Sequence, residues 1–112
     1  MEGIYAMYFT GSVGSGSGLL LLKNGIIAGA DSAGGIYDGS YTVEEMGTVN
    51  MNVRLTLPPG ASLVTGASAG ANPMVMDIPA RLPENFGNGL AIALNTPTGP
   101  INIIFKKLRD VP

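Results

Sequence analysis

One stretch of the sequence has the residue types and spacing of a phosphate-binding loop. Residues 63–72 read LVTGASAGAN, a short apolar run followed by Thr65-Gly66 and further small residues up to Gly70. In dinucleotide-binding folds, glycines at such spacing let the backbone approach a pyrophosphate, which lies at the amino terminus of the next helix. The chemistry at issue is therefore nucleotide binding.

The last residue of this stretch and the residue after it argue against a nucleotide site. The stretch resembles the glycine-rich turn of short-chain dehydrogenases, but Asn72 stands in place of the last motif glycine. Pro73 disfavours helical geometry in the residue before it, so a phosphate would meet no aligned amide dipoles. No Tyr is followed four residues later by Lys, as that family requires. We predict no cofactor here, and a loop of small residues with a short strand over Ser62 to Thr65.

A second glycine-rich stretch, Gly11 to Gly18, reads GSVGSGSG. A P-loop needs Gly-Lys followed by Ser or Thr, and no Lys follows here. Gly and Ser between two strands are typical of a flexible connection. We therefore predict a hairpin connection without a phosphate site.

The chain has no His and no Cys, which removes the commonest general base, the commonest transition-metal ligand and every thiolate site. Catalysis would rest on carboxylates, which can divide acid and base roles when two of them meet. Asp31 and Asp38 lie near predicted turns, Asp77 is in phase with outward strand residues, and Glu44 and Glu45 are adjacent in a turn. No pattern brings two of them together and no calcium-loop spacing occurs. We predict no catalytic residue, no metal and no enzyme.

Length and charge restrict the chain further. Residues 1–112 suffice for a single domain, and only 12% of them are charged, about half the typical fraction. The net charge is −2 and the Lys and Arg residues are mostly scattered, so nucleic acid is not an expected partner. Met1-Glu2-Gly3 lacks the basic start of a secretory signal, and the aliphatic run Leu19 to Leu22 cannot span a bilayer. We predict one soluble, cytoplasmic domain without a membrane partner.

Thr48 to Leu57 shows the clearest strand pattern in the chain. Apolar and polar residues alternate over this segment without an error. Alternation of period two indicates a strand with one face in a core and the other in water. The residues predicted to face inward are Val49, Met51, Val53, Leu55 and Leu57, and those predicted to face outward include Asn50, Asn52 and Arg54.

Weaker patterns of the same kind predict further strands on both sides, over Gly3 to Thr10, Gly18 to Leu22, Ile26 to Ala30, Gly35 to Val43, Pro73 to Ile78, Leu90 to Leu94 and Ile101 to Lys106. No window shows a helical stripe. Asn24-Gly25 is a strong hairpin signal, because both residues tolerate positive φ. Short connections favour a meander, and closing a meander removes its exposed edges. We predict an all-β, eight-stranded antiparallel up-and-down barrel.

The first half of the chain resembles the GrlR-like family of small bacterial regulators. The residues that carry this likeness are Gly3-Ile4-Tyr5, the glycine-rich turn, GLLLLKNGIIAGAD from Gly18 to Asp31, and YDGSY from Tyr37 to Tyr41. The likeness is close through about residue 57 and then continues in pattern rather than in identity. It implies a lipocalin-like barrel, a homodimer, and negative regulation of type III secretion by binding a transcriptional activator rather than DNA.

In the family's named member an acidic surface run contacts the activator just after the strand that ends in the Tyr-x-Gly segment. The same place here holds Val43-Glu44-Glu45-Met46. The resemblance therefore implies that Glu44 and Glu45 bind a protein partner.

Two further interpretations come from the strands themselves. An eight-stranded barrel has room for one small ligand, so an apolar-ligand carrier is the alternative function. Met51, Met74 and Met76 would suit its pocket, although Met is more often core filler.

Leu19 to Leu22 and Ile103 to Phe105 are apolar on both strand faces, which leaves an outward stripe for a second copy to cover. We therefore predict a homodimer.

Overall fold

Alternating and β-branched residues place most of the chain in strands. The computed structural model describes residues 2–112, and no helix occurs among them. The eight strands predicted from the sequence are all present: β1 (Gly3–Gly11), β2 (Gly14–Lys23), β3 (Ile26–Asp31), β4 (Ile36–Val43), β5 (Val49–Leu57), β6 (Met74–Leu82), β7 (Asn88–Thr96) and β8 (Gly99–Arg109).

The strands form one strongly curled sheet in the order β6-β5-β4-β3-β2-β1-β8-β7. Every ladder in it is antiparallel. Strands that follow each other in sequence are neighbours, with one exception: β6 and β7 are the two edges and share no ladder. The prediction of a curled antiparallel meander is confirmed, and complete closure into a barrel stays a prediction.

Strand β6 is longer than predicted, because its position at the edge of the sheet allows a proline inside it. The pattern predicts an end at Ile78, but the strand continues through Pro79 to Leu82. Proline has no N–H to donate, so it is tolerated in a strand that lacks a neighbour on one side. In β6 that side faces no partner strand within residues 2–112.

The glycine-rich stretch Gly11 to Gly18 forms a hairpin, as predicted, but the predicted flexible connection is wrong for most of its length. Only Ser12 and Val13 form the turn, and β2 begins at Gly14. Gly16 pairs with Phe9, and a Cβ atom on Gly16 would lie 2.5 Å from the Phe9 ring. The ring therefore covers the bare backbone, which gives the glycine segment a packed partner and keeps it in the sheet.

Two local predictions are confirmed. Asn24 and Gly25 both have positive φ, 52° and 77°, as a two-residue hairpin of type I′ requires. In β5 the predicted inward side chains are buried, except that Val53 is half-buried. Asn52 and Arg54 are exposed, and Asn50 is half-exposed.

The interior is filled at one end of the sheet, which we call the aromatic end. Phe86, from the β6–β7 connection, is 1% exposed and stacks on Tyr5 with ring centroids 4.9 Å apart. It also contacts Phe105 edge-on at 5.3 Å. Leu22, Ile27 and Val49 complete this core and are fully buried.

Residues 58–73, the β5–β6 loop, cover the opposite end, which we call the mouth. The backbone N–H of Val13 donates to the Val64 carbonyl at 3.0 Å. Leu55 and Leu57 are buried beneath the loop, where Ala69 of the loop packs in the same cluster. The predicted strand over Ser62 to Thr65 is not formed. Only an isolated bridge joins Ser62 to Ser68.

Candidate ligand cavity and acidic turn

The space between the aromatic end and the loop is a cavity of about 160 Å³. This is roughly ten times the ~10–15 Å³ that a single water requires. Apolar side chains from both halves of the sheet form most of its wall, among them Met7, Phe9, Leu20, Met51, Val53 and Ile78. The cavity is therefore large enough for a small organic molecule and offers it a mainly apolar surface.

Two of the three predicted methionines line this cavity. Met51 and Met76 contribute to its wall. Met74 instead packs against the smaller core cluster beneath residues 58–73. The sequence pattern placed all three on the inward faces of their strands and did not indicate which of them lies under the loop.

Asp31 and Tyr37 form a polar pair in the cavity wall at the mouth. Asp31 ends β3, and its Oδ1 accepts hydrogen bonds from the backbone N–H groups of Ala33 (3.0 Å) and Gly35 (2.9 Å). An Asp side chain commonly stabilises a turn in this way. Its Oδ2 accepts a hydrogen bond from the Tyr37 hydroxyl at 2.7 Å. The sequence placed Asp31 near a turn but gave no sign of its contact with Tyr37.

The environment of this pair keeps the phenol protonated. Burial raises the pKa of Tyr37 well above its ordinary value, and the hydrogen bond to Asp31 and the charge of that carboxylate raise it further. The Tyr37 proton therefore stays directed at Asp31. Among the described residues that line the cavity, Asp31 is the only one with a charged side chain.

Threonine hydroxyls at the mouth bond mostly to one another and to the backbone. Thr65 from the loop meets Thr98 from the β7–β8 turn at 2.9 Å, and Thr96 donates to the Gly99 carbonyl at 2.7 Å. These contacts join the loop to the turn on the far side of the mouth. Within residues 2–112, no buried side-chain nitrogen or oxygen lacks a partner.

The nucleotide-like stretch is part of this loop. The helix that a pyrophosphate site needs does not follow it, because β6 begins at Met74. Thr65 and its neighbours instead contact the β1–β2 and β7–β8 turns. The stretch thus closes the mouth of the cavity.

Glu44 and Glu45 lie in the β4–β5 turn, at the aromatic end and away from the mouth. The Glu44 carboxylate accepts two hydrogen bonds from Arg81 Nη2, at 3.0 and 3.1 Å, and one from Asn50 Nδ2 at 2.5 Å. The hydrogen bond from Asn50 lowers the pKa of Glu44 below its ordinary value, and Arg81 lowers it further. The Glu45 side chain is exposed, and the described residues give it no ion pair or hydrogen bond. The sequence did not indicate Arg81, which is 37 positions from Glu44.

The remaining acids do not form a site. Asp77 faces outward, as predicted, and pairs with Arg54 at 3.1 Å with both side chains largely exposed. Asp38 is exposed on the outer face of β4. Residues 2–112 contain no group of three or more His, Cys, Asp or Glu side chains that could hold a metal ion.

The outer face of the sheet carries an apolar patch. Tyr8 and Leu19 are 54% and 52% exposed, while the alternate residues Leu20 and Leu22 are buried inside. Tyr8 pairs with Ile104, and Leu21 pairs with Ile4. We call this surface the outer apolar patch and define it by Ile4, Tyr8, Leu19, Leu21 and Ile104. Leu19, Leu21 and Ile104 belong to the two apolar runs that the sequence indicated, and Ile4 and Tyr8 lie beside them through the pairing of the strands.

Fold and site together define an all-β meander with an internal apolar cavity. In comparisons with protein-family models, curated proteins and solved structures, the chain matches none. The resemblance to the GrlR-like family stays a prediction drawn from the residues themselves. No helix in residues 2–112 is long and apolar enough to cross a membrane.

Proposed function

We propose that the chain is a non-enzymatic binding protein that holds a small apolar molecule inside its curled sheet. One observation supports this function above others, namely the cavity of about 160 Å³ between the aromatic end and the mouth. The walls of an apolar cavity lack packing partners on one side, so a ligand that fills it gains dispersion contacts. Engineered apolar cavities of about 150 Å³ stay dry and bind benzene.

Closure into a lipocalin-like barrel belongs to the same proposal. Parts of β6 and β7 already lie within 8 Å of each other, measured between Cα atoms. Pairing these two edges would complete the ring of strands around the ligand, as in barrels that hold one small molecule. Slower amide hydrogen exchange in both edges when ligand is present would support closure, and unchanged exchange would contradict it.

The test of ligand binding uses a neutral apolar fluorophore, N-phenyl-1-naphthylamine, and a matched pair of variants. Val53 lines the cavity, whereas Val75 is 58% exposed on the outer face of β6. Val53→Phe places a ring inside the cavity and Val75→Phe places the same ring outside. We expect saturable binding to the wild type and to Val75→Phe, and binding at least about tenfold weaker, or ~1.4 kcal/mol, for Val53→Phe.

Two results would contradict this function. One is a fluorescence increase in the wild type that does not saturate, and the other is equal affinity in the two variants. Circular dichroism and thermal unfolding of each variant show whether a loss of binding reflects a filled cavity or a lost fold.

A second candidate function is regulation through a protein partner, as the resemblance to the GrlR-like family implies. The position of Glu45 favours it, because this carboxylate is exposed and lies next to Met46, which is 88% exposed. The proposed partner is a cytoplasmic transcriptional activator with a basic face. Complementary charge would steer the encounter and fix its register more than supply affinity. In this proposal Glu44 holds the turn through Arg81, and Glu45 is the freer contact.

Pull-down from an extract of the source cells separates the two acids. Proteins captured by the wild type are compared with those captured by Glu45→Ala, by the Glu44→Ala, Glu45→Ala double variant and by Asp38→Ala. Asp38 is an exposed acid on the outer face of β4, outside the turn, and serves as the control. A partner that is lost with both turn variants and kept by Asp38→Ala supports the contact. Equal recovery by all four proteins contradicts it.

The proposal also includes a homodimer, in which the outer apolar patch forms the contact between the two copies. A chain in which 12% of residues are charged has few side chains to keep an exposed apolar surface soluble. A second copy of the chain presents the same patch, and such self-complementary contacts are the commonest route to a symmetric dimer.

A further inference from the structure

The cavity contains one charge and no opposite charge to balance it. Asp31 lies in its wall at the mouth, and no Lys or Arg is among the described residues that line it. A ligand that entered this space would leave most of its water behind. Its polar end, if it has one, would meet Asp31 and Tyr37 at the mouth.

The hydrogen bonds at the mouth determine which groups are still free to bind. An ionised carboxylate has about four lone-pair positions, and Asp31 uses three of them for Ala33, Gly35 and Tyr37. The Tyr37 hydroxyl remains protonated and donates its hydrogen bond to Asp31, so its oxygen can only accept from a ligand. Both groups therefore offer acceptors. The Ser and Thr hydroxyls nearby rotate to donate or accept, so they do not discriminate between ligands.

We propose that the cavity selects amphiphiles whose polar head carries a positive charge and donates hydrogen bonds, a primary alkyl ammonium in particular, and rejects alkyl carboxylates. This inference rests on the proposed function of the cavity and names the class of its ligand. An ammonium head at the mouth makes a charge-assisted hydrogen bond to Asp31. A carboxylate head loses its hydration, finds no cation and stands beside a like charge. A neutral alcohol falls between the two.

Displacement of bound N-phenyl-1-naphthylamine by octylamine, 1-octanol and octanoate at pH 7 tests the inference. The three compounds share one chain and differ only in the head, which is an ammonium, a hydroxyl and a carboxylate. We expect octylamine to bind about tenfold or more tighter than octanoate, because the ammonium pairs with Asp31 whereas the carboxylate is repelled. Octanol should lie between them.

Two isosteric variants locate the source of this preference. Asp31→Asn removes the charge at the mouth and can still accept from the turn N–H groups, so the preference for amine should fall below about threefold, as expected once the charge partner is gone. Asp38→Asn removes a carboxylate from the outer face and changes the net charge equally. It should keep the full preference. Tyr37→Phe leaves the Asp31 charge in place and should also retain the preference for amine.

Equal or tighter binding of octanoate by the wild type would overturn the inference, and so would a preference that persists in Asp31→Asn. If Asp31→Asn fails to fold, loss of the preference in Tyr37→Phe would overturn it instead, and retention would support it. The proposed function fails separately. If the neutral probe itself does not bind, the proposed function is contradicted, and so is the head-group preference that rests on it. If the probe binds but the three compounds displace it equally well, only the selectivity is contradicted.

Discussion

The two halves of β2 show how one strand can serve a filled interior at one end and a hollow one at the other. Its inward positions are Gly16 and Gly18 toward the mouth, then Leu20 and Leu22 toward the aromatic end. Leu22 is fully buried in the core, whereas Gly16 lines the cavity. The same alternation therefore produces space or packing according to the size of the inward side chain. The hollow end of the interior therefore lies where this strand carries glycine at its inward positions, and the filled end lies where it carries leucine.

Side chains of neighbouring strands cover the inward glycines but do not fill the cavity. A Cβ atom on Gly18 would lie 2.9 Å from Met7 Cε, and one on Gly29 would lie 3.0 Å from Leu20 Cδ1. Large side chains thus lean over the inward glycines and cover the backbone. Phe86 fills the aromatic end from outside the strands, and the mouth has no equivalent aromatic residue in loop 58–73.

The largest loss of stability should come from Phe86→Ala at the aromatic end. Truncating a fully packed Phe leaves a void and removes its contacts with Tyr5 and Phe105, at a cost of about 3–5 kcal/mol. Urea unfolding followed by circular dichroism measures this change. A loss below about 1 kcal/mol, well under the usual range, would mean that the aromatic end is not the tightly packed one.

The second prediction compares one substitution at two inward positions of β5. Val49 is fully buried at the aromatic end, whereas Val53 lines the cavity. Val49→Phe should destabilise the protein by about 1–3 kcal/mol through overpacking. Val53→Phe should leave the free energy of unfolding unchanged or raise it, since its ring enters empty space. Equal losses in the two variants would contradict the contrast between the ends.

The third prediction concerns alkaline pH and Tyr37. The raised pKa of this phenol means that the folded state holds its proton where the unfolded state, with an ordinary pKa of 10.0, releases it. The contribution of Tyr37 to stability is therefore complete below pH 10.0 and is lost as the pH rises above that value. Stability measured from pH 8 to pH 11 should fall more steeply in the wild type than in Tyr37→Phe. Parallel curves would refute the assignment.

The smallest change in monomer stability is expected on the outer face. Leu19→Lys places a charge in the outer apolar patch, where Leu19 is 52% exposed, so folding should be almost unaffected. Self-association should weaken, because two copies would bring like charges together. Sedimentation at tens of micromolar should show a dimer for the wild type and a monomer for the variant. A monomeric wild type would contradict the proposed homodimer.

Sequence patterns predicted the sheet well and the cavity poorly, for physical reasons that these residues illustrate. The alternation in β5 indicated both the strand and its buried face, because period two has no other simple explanation. The strand position of Gly14 to Ser17 was not predicted, because Gly and Ser have no strand preference of their own. Their place in β2 depends on the partner strand and on Phe9.

The candidate site was predicted only in fragments. Asp31 was recognised as a residue near a turn, and Met51 and Met76 as potential pocket residues. The contact between Asp31 and Tyr37 depends on how the β3–β4 turn folds back. Phe86 stands in a polar connection, RLPENFGNG, where no periodicity indicates burial. The Glu44–Arg81 pair joins residues that only the register of β4, β5 and β6 brings together.

The pairing of β1 with β8 has a consequence for how the chain folds. The order of the sheet can be written β7-β8-β1-β2-β3-β4-β5-β6, which is a plain meander whose start has been moved in the sequence. Strands β1 to β6 can pair one after another as they leave the ribosome. The other edge of β1 stays unpaired until the β7–β8 hairpin has been synthesised and docks against it. That docking joins Ile4 to Arg109 and is the one step that spans nearly the whole chain. Since distant contacts slow folding, a circular permutant that starts before β7 should reach the same sheet through neighbouring hairpins alone, and faster.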